Sequence, residues 1–185
     1  MELSEELGPL AALAGTWEGD QGVDLAYSHS RDQAKETPFR ERITFEPFGP
    51  VENGSQVLFG LDYTTKAWPI GEADPFHMEV GYWLWDAASS LVMRCFMVPR
   101  GVTVLAGGTA STDARELRMS AEAGSGVFGV LNNPYLDEAA KTVRYELTVR
   151  IGDDGSFSYE EDTVLDFQGQ SAPFHHTDRN TLRRV

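Results

Sequence analysis

From Phe39 onward, apolar and polar residues alternate in short runs that end at turn residues, and this pattern restricts the chain to an antiparallel sheet. Phe39, Glu41, Ile43 and Phe45 share one face of a run against Arg40, Arg42 and Thr44, with Pro47 and Gly49-Pro50 punctuating its end. Further strands are expected at Gln56–Thr65, Phe76–Asp86, Leu91–Val98, Val102–Thr109, Arg115–Ala121, Thr142–Ile151, Ser156–Phe167 and Phe174–Arg184. Ala87-Ala88-Ser89-Ser90 and Pro99-Arg100-Gly101 separate two pairs of them, and Gly152-Asp153-Asp154-Gly155 is a strong hairpin signal. With a short strand at Gly15–Gly19 the count reaches about ten, and no β-α-β unit interrupts them. The fold class is all-β. An up-and-down antiparallel barrel removes every exposed edge and is the economical architecture; a sandwich is the other arrangement.

One helix precedes the strands. Ser4 stands before Glu5 and Glu6, Pro9 suits a first turn, and Leu7, Leu10, Ala11, Leu13 and Ala14 form an apolar stripe that Gly15 ends. This helix is expected to cover one end of the barrel. Two stretches depart from the meander. Asp20–Pro38 is polar and weakly patterned and reads as a long loop or a short helical cap. Val127–Lys141 includes Asn132-Asn133-Pro134, which reads as the start of one helical turn. Both are expected near a barrel mouth, restricting entry.

Composition bounds the partners. At 185 residues with 41% apolar side chains, the chain reads as one globular domain over 1–185. A net charge of −14 argues against nucleic acid and anionic membrane surfaces. Cys95 is the single cysteine, which excludes a disulfide framework and a thiolate metal cluster. The start of the chain is acidic rather than basic, and no apolar run approaches the roughly 18 residues of a membrane span, so a cytoplasmic protein is expected. Glu79, Glu160, Glu161 and Asp162 read as residues of a solvated strand face rather than paired catalytic carboxylates.

The last strand carries the sharpest chemical signal. It holds His175 and His176, two of the four histidines. At period two, Phe174, His176, Asp178, Asn180 and Leu182 share one face, and His175, Thr177, Arg179, Thr181 and Arg183 the other. Phe174 and Leu182 are apolar, so the face of His176 is expected inside. Asp178 would then also turn inward and need a partner, either Arg40, Arg42 or His176 itself. A closed barrel of this size has room for one small apolar ligand, and Trp17, Phe45, Tyr82, Phe174, His176 and Asp178 are the expected pocket residues.

Five blocks in order resemble the nitrobindin family, the fatty-acid-binding-protein-like haem-binding barrels. They are Leu13-Ala14-Gly15-Thr16-Trp17-Glu18-Gly19, Phe39 to Phe45, Met78-Glu79-Val80-Gly81-Tyr82-Trp83, Met97 to Gly108 around Pro99-Arg100-Gly101, and Ala172-Pro173-Phe174 before the histidine-bearing strand. The resemblance implies a ten-stranded calycin-type, lipocalin-like barrel with an internal pocket. It also implies haem b as cofactor, held by a histidine of the last strand, with nitric oxide bound or peroxynitrite isomerised to nitrate. In haem-binding members the ligand follows the proline at the distance of Thr177 from Pro173, and a Leu comes next. Here His176 stands one residue earlier, which in a strand is the opposite face unless a bulge intervenes. His176 is the candidate iron ligand. The alternative is a non-catalytic carrier of an apolar or amphipathic ligand; a solidly filled acidic interaction module is a third reading.

Overall fold

The computed structural model describes residues 3–185. Its strands close into a barrel of eleven: β1 Gly15–Ser28, β2 Gln33–Asn53, β3 Gln56–Pro69, β4 His77–Asp86, β5 Leu91–Val98, β6 Val102–Thr109, β7 Glu116–Ala123, β8 Gly129–Leu131, β9 Ala140–Ile151, β10 Ser156–Phe167 and β11 Phe174–Arg184. Neighbours in sequence are neighbours in the sheet, and β11 returns to β1. The one departure is β8, a short strand that lies parallel to β7 and antiparallel to β6.

Two segments differ from the sequence expectation. Asp20–Pro38 is not a loop: β1 and β2 run on through it as a long hairpin, paired from Gly22↔Phe39 to Ser28↔Gln33. Its polarity comes from lying at the rim, and its weak pattern from a register shift between Gly19 and Gly22. A Cβ on Gly22 would meet the Phe39 ring at 2.5 Å, so only glycine lets that ring lie across the strand. Gly49-Pro50 likewise marks a register shift rather than an end, because β2 pairs with β3 as far as Asn53↔Gln56. Pro134–Ala139 is the expected helical turn, α2, with the Asn133 side chain accepting the Leu136 N–H at its start.

The N-terminal segment seals one end. It divides into a single α-turn, α1, at Leu3–Glu6 and a 3-10 helix at Gly8–Leu13, after which Gly15 (φ +116°) turns the chain into β1. Leu7, Leu10 and Leu13 are buried and belong to the same core cluster as Trp17, Phe45, Leu61, Trp85, Phe157 and Leu182. The Trp17 indole N–H donates to the Leu13 carbonyl at 2.7 Å, and its ring meets Phe157 edge-on. Trp17 therefore belongs to the apolar floor and does not line a ligand cavity.

Tyr82 is outside. In β4 the inner face carries His77, Glu79, Trp83 and Trp85, whereas Tyr82 is 48% exposed and packs edge-on against Phe48. Both faces of this strand carry aromatic rings. The two larger indoles take the interior, and the phenol, whose hydroxyl is open to solvent there, takes the surface. Truncation separates the two positions. Trp17→Ala should cost about 3–5 kcal/mol in equilibrium denaturation, since the helical plug cannot collapse into the gap. Tyr82→Ala should stay within about 0.5–1 kcal/mol of the parent.

Candidate functional site

β1 and β11 both run along the barrel between the floor and the open mouth, so residues near Ser28 and Phe174 sit at the rim and Trp17 and Leu182 at the floor. Between them the interior is polar. Arg94 of β5 is buried and reaches Glu79 of β4 and, at 2.8 Å, Glu161 of β10. Its Nε donates to the Tyr63 hydroxyl at 3.2 Å, and a guanidinium N–H reaches the Tyr145 hydroxyl. Those phenols donate onward to Glu79 at 2.9 Å and Glu161 at 2.7 Å. Burial opposes ionisation of Glu79, yet the Arg94 guanidinium and His77 hold its carboxyl at about 2. Among the described residues, Glu41 pairs with no cation. Thr65, Tyr159 and Asn180 donate to it, and burial still raises its carboxyl above the usual range.

Glu79 and Glu161 therefore do not belong to the solvated face expected from the sequence; Glu160, which pairs outward with Arg150, does. A lone Arg94 on the parity of Val92 and Phe96 was the available signal for this network.

Above it lies the candidate site. His176 faces inward by plain alternation with Asn180 and Leu182, and β11 keeps continuous register with β10, so no bulge is required. Its Nε2 lies 2.7 Å from Asp24 Oδ1 and 3.6 Å from Asp178 Oδ2. His175 points outward to Asp162 at 2.7 Å, and Thr177, at the resembling family's ligand position, borders a surface groove with Asp162. Neither arginine proposed as a partner reaches Asp178: Arg40 stacks on Trp68 and Arg42 pairs with Glu18. Asp178 lies instead beside Asp24. Burial, with the charges of Glu161 and Asp24, raises its carboxyl well above the usual range. Asp24 went unnoticed in the sequence because its segment reads as a loop; Gly22-x-Asp24-x-Ala26, a carboxylate between small residues of one parity, was the signal.

Two adjoining cavities meet at His77, Glu79, Glu161, His176 and Asp178. The inner one, about 230 Å³, has Phe45 in its lining. The outer one, about 400 Å³, is walled by Phe96, Val98, Val104, Leu165 and Phe167. Both exceptional segments contribute to this mouth, through Tyr27 and His29 on one side and Leu136 and Ala140 on the other. Phe174 packs in the rim against Tyr27 and Phe167.

Residues 6–184 match the family described as "THAP4-like, heme-binding beta-barrel domain". The chain belongs to that family. A curated relative, the peroxynitrite isomerase of Clavibacter sepedonicus, is 36% identical over 83 residues, which cover 44% of this chain and 36% of that protein. Among solved structures, Rv2717c from M. tuberculosis shares the fold, with a TM-score of 0.68 over 97% of each chain at 22% identity. The nitrobindin-type barrel expected from the sequence is thus the fold of this protein. No helix among the described residues is long and apolar enough to cross a membrane.

The buried network makes two predictions. Arg94→Met leaves Glu79 and Glu161 without their cation and should cost about 3–5 kcal/mol in urea denaturation. The pH dependence of stability follows from the opposite shifts. Glu79, depressed to about 2, contributes stability that is lost as pH falls from the ordinary carboxylate range toward about 2. Glu41 and Asp178, raised on folding, contribute stability at low pH that is lost as pH rises through their folded values. Stability should therefore peak at mildly acidic pH, and Glu41→Gln should flatten its decline toward neutral pH.

Proposed function

We propose that this barrel binds haem b across its mouth, with His176 as the imidazole that meets the iron. The observation that carries this reading is the outer cavity of about 400 Å³, which has apolar walls and a histidine at its inner edge. That volume lies within the usual range of ligand pockets, roughly 300–1,000 Å³, whereas the inner cavity at about 230 Å³ lies below it. Phe96, Val98, Val104, Leu165 and Phe167 supply the dry surface that a porphyrin face requires. The Arg94 network beneath sets the depth, because a porphyrin cannot displace those paired charges.

The imidazole fits on one condition. His176 Nε2 is engaged by Asp24, and Nδ1, next to Cβ, would crowd a porphyrin plane. Haem ligation through Nε2 thus requires the ring to leave Asp24. Bound ferric haem would supply an open coordination position for a small reactant; the name of the Clavibacter relative points to peroxynitrite. The protein's own contribution is to hold the ring, wall the cavity and restrict the mouth with the β1–β2 hairpin and α2. The carrier reading has one observation in its favour, the engagement of Nε2 by Asp24.

Hemin titration tests the proposal. Equimolar hemin should give a shifted Soret band in the purified protein. His176→Ala should abolish it, and His175→Ala should leave it nearly intact. A folded wild-type protein with no Soret shift at equimolar hemin sinks the haem reading and leaves the carrier.

A further inference from the structure

Asp24 and Asp178 are directly opposite on neighbouring strands and face the same interior. Like charges in that arrangement destabilise a sheet unless something lies between them. His176, two residues before Asp178 on the same face, brings Nε2 to the pair. One ligand atom from each of the three lies within 4.8 Å of the other two. An ion held at roughly 2.0–2.2 Å by one imidazole nitrogen and two carboxylate oxygens separates those donors by about 3–4 Å. Small side-chain adjustments therefore suffice.

Charge on the surrounding elements points the same way. Glu41 of β2, Glu79 of β4 and Glu161 of β10 line the inner cavity together with Asp24 and Asp178. Against these five carboxylates stand Arg94, which pairs with Glu79 and Glu161, together with His77, His176 and Arg100. His77 bonds to Glu79, and Arg100 makes no ion pair among the described residues. The Asp24–Asp178 pair, with Asp24 only 6% exposed, thus has His176 as its only basic contact among the described residues.

A separate observation concerns the same cavity. The Trp83 ring lines it at 4% exposure, and its buried indole N–H meets no acceptor among the described residues. A buried donor of that kind is costly unless a bound group satisfies it.

We propose that Asp24, His176 and Asp178 form a site for one divalent first-row metal ion, of the zinc class, with its remaining coordination positions open to the cavity. An imidazole with two carboxylates suits such an ion, and three protein ligands leave room for a fourth from solvent or substrate. The site uses the nitrogen that a haem iron would need, so the two ligands exclude one another at His176. It does not rest on the haem reading.

The test uses the chelator-treated, haem-free protein. Zn²⁺ titrated by calorimetry should bind with one-to-one stoichiometry, and Co²⁺ should give visible ligand-field bands. Asp24→Asn and Asp178→Asn should each weaken binding at least tenfold and remove the thermal shift caused by Zn²⁺. Asparagine keeps the size and a side-chain oxygen of aspartate, so both variants should fold, as an unchanged far-UV circular dichroism spectrum without metal would show. His175→Ala should bind as the wild type does. Absence of stoichiometric Zn²⁺ binding overturns the inference, as does binding that survives both asparagine variants or disappears with His175→Ala. The parallel hemin titration keeps the proposals apart: a Soret band without Zn²⁺ binding leaves haem alone, and Zn²⁺ binding without a Soret band leaves the metal site alone.

Discussion

Arg94 is the buried basic side chain on which the interior depends among the described residues. A guanidinium inside a barrel is tolerable only with its charge matched and its donors used. Glu79 comes from the neighbouring strand, but Glu161 and Tyr145 come from β10 and β9 on the far side, so the ion pairs span the lumen. They tie opposite walls together and divide the interior. Below is an apolar floor plugged by Leu7, Leu10 and Leu13; above is a mouth where acidic groups and histidines can meet a ligand.

That division explains how a member of a haem-binding family can keep the barrel and change what the barrel offers. The mouth retains apolar walls suited to a flat ligand. Its imidazole, however, comes from the position before Thr177 and is already held by a buried carboxylate. In both proposals Asp24 governs the chemistry of the site: it would surrender His176 to an iron, or share it with Asp178 around a smaller ion.

Much of this was legible in the sequence. Period two and the turn residues disclosed the strands, and the parity of β11 correctly turned His176 inward and His175 outward. The same reasoning failed at Tyr82, because β4 has aromatic rings on both faces and alternation alone does not say which face is inside. It failed at Asp24 because a register shift at Gly19–Gly22 broke the alternation that would have revealed a strand. Glu79 and Glu161 looked like surface residues because their partner, Arg94, lies on another strand and is brought to them only by closure of the barrel.

Everything proposed for the mouth depends on His176 as its ligand-binding residue, held in reserve by Asp24. Imidazole ¹⁵N–¹H correlation spectra of the haem-free protein, recorded before and after stoichiometric hemin, test this most directly. The His176 Nε2–H should appear as an exchange-protected, hydrogen-bonded proton and vanish when hemin is added, while the Nδ1–H that His175 shares with Asp162 is unchanged. An unprotected His176 proton, or a hemin response confined to His175, would contradict it.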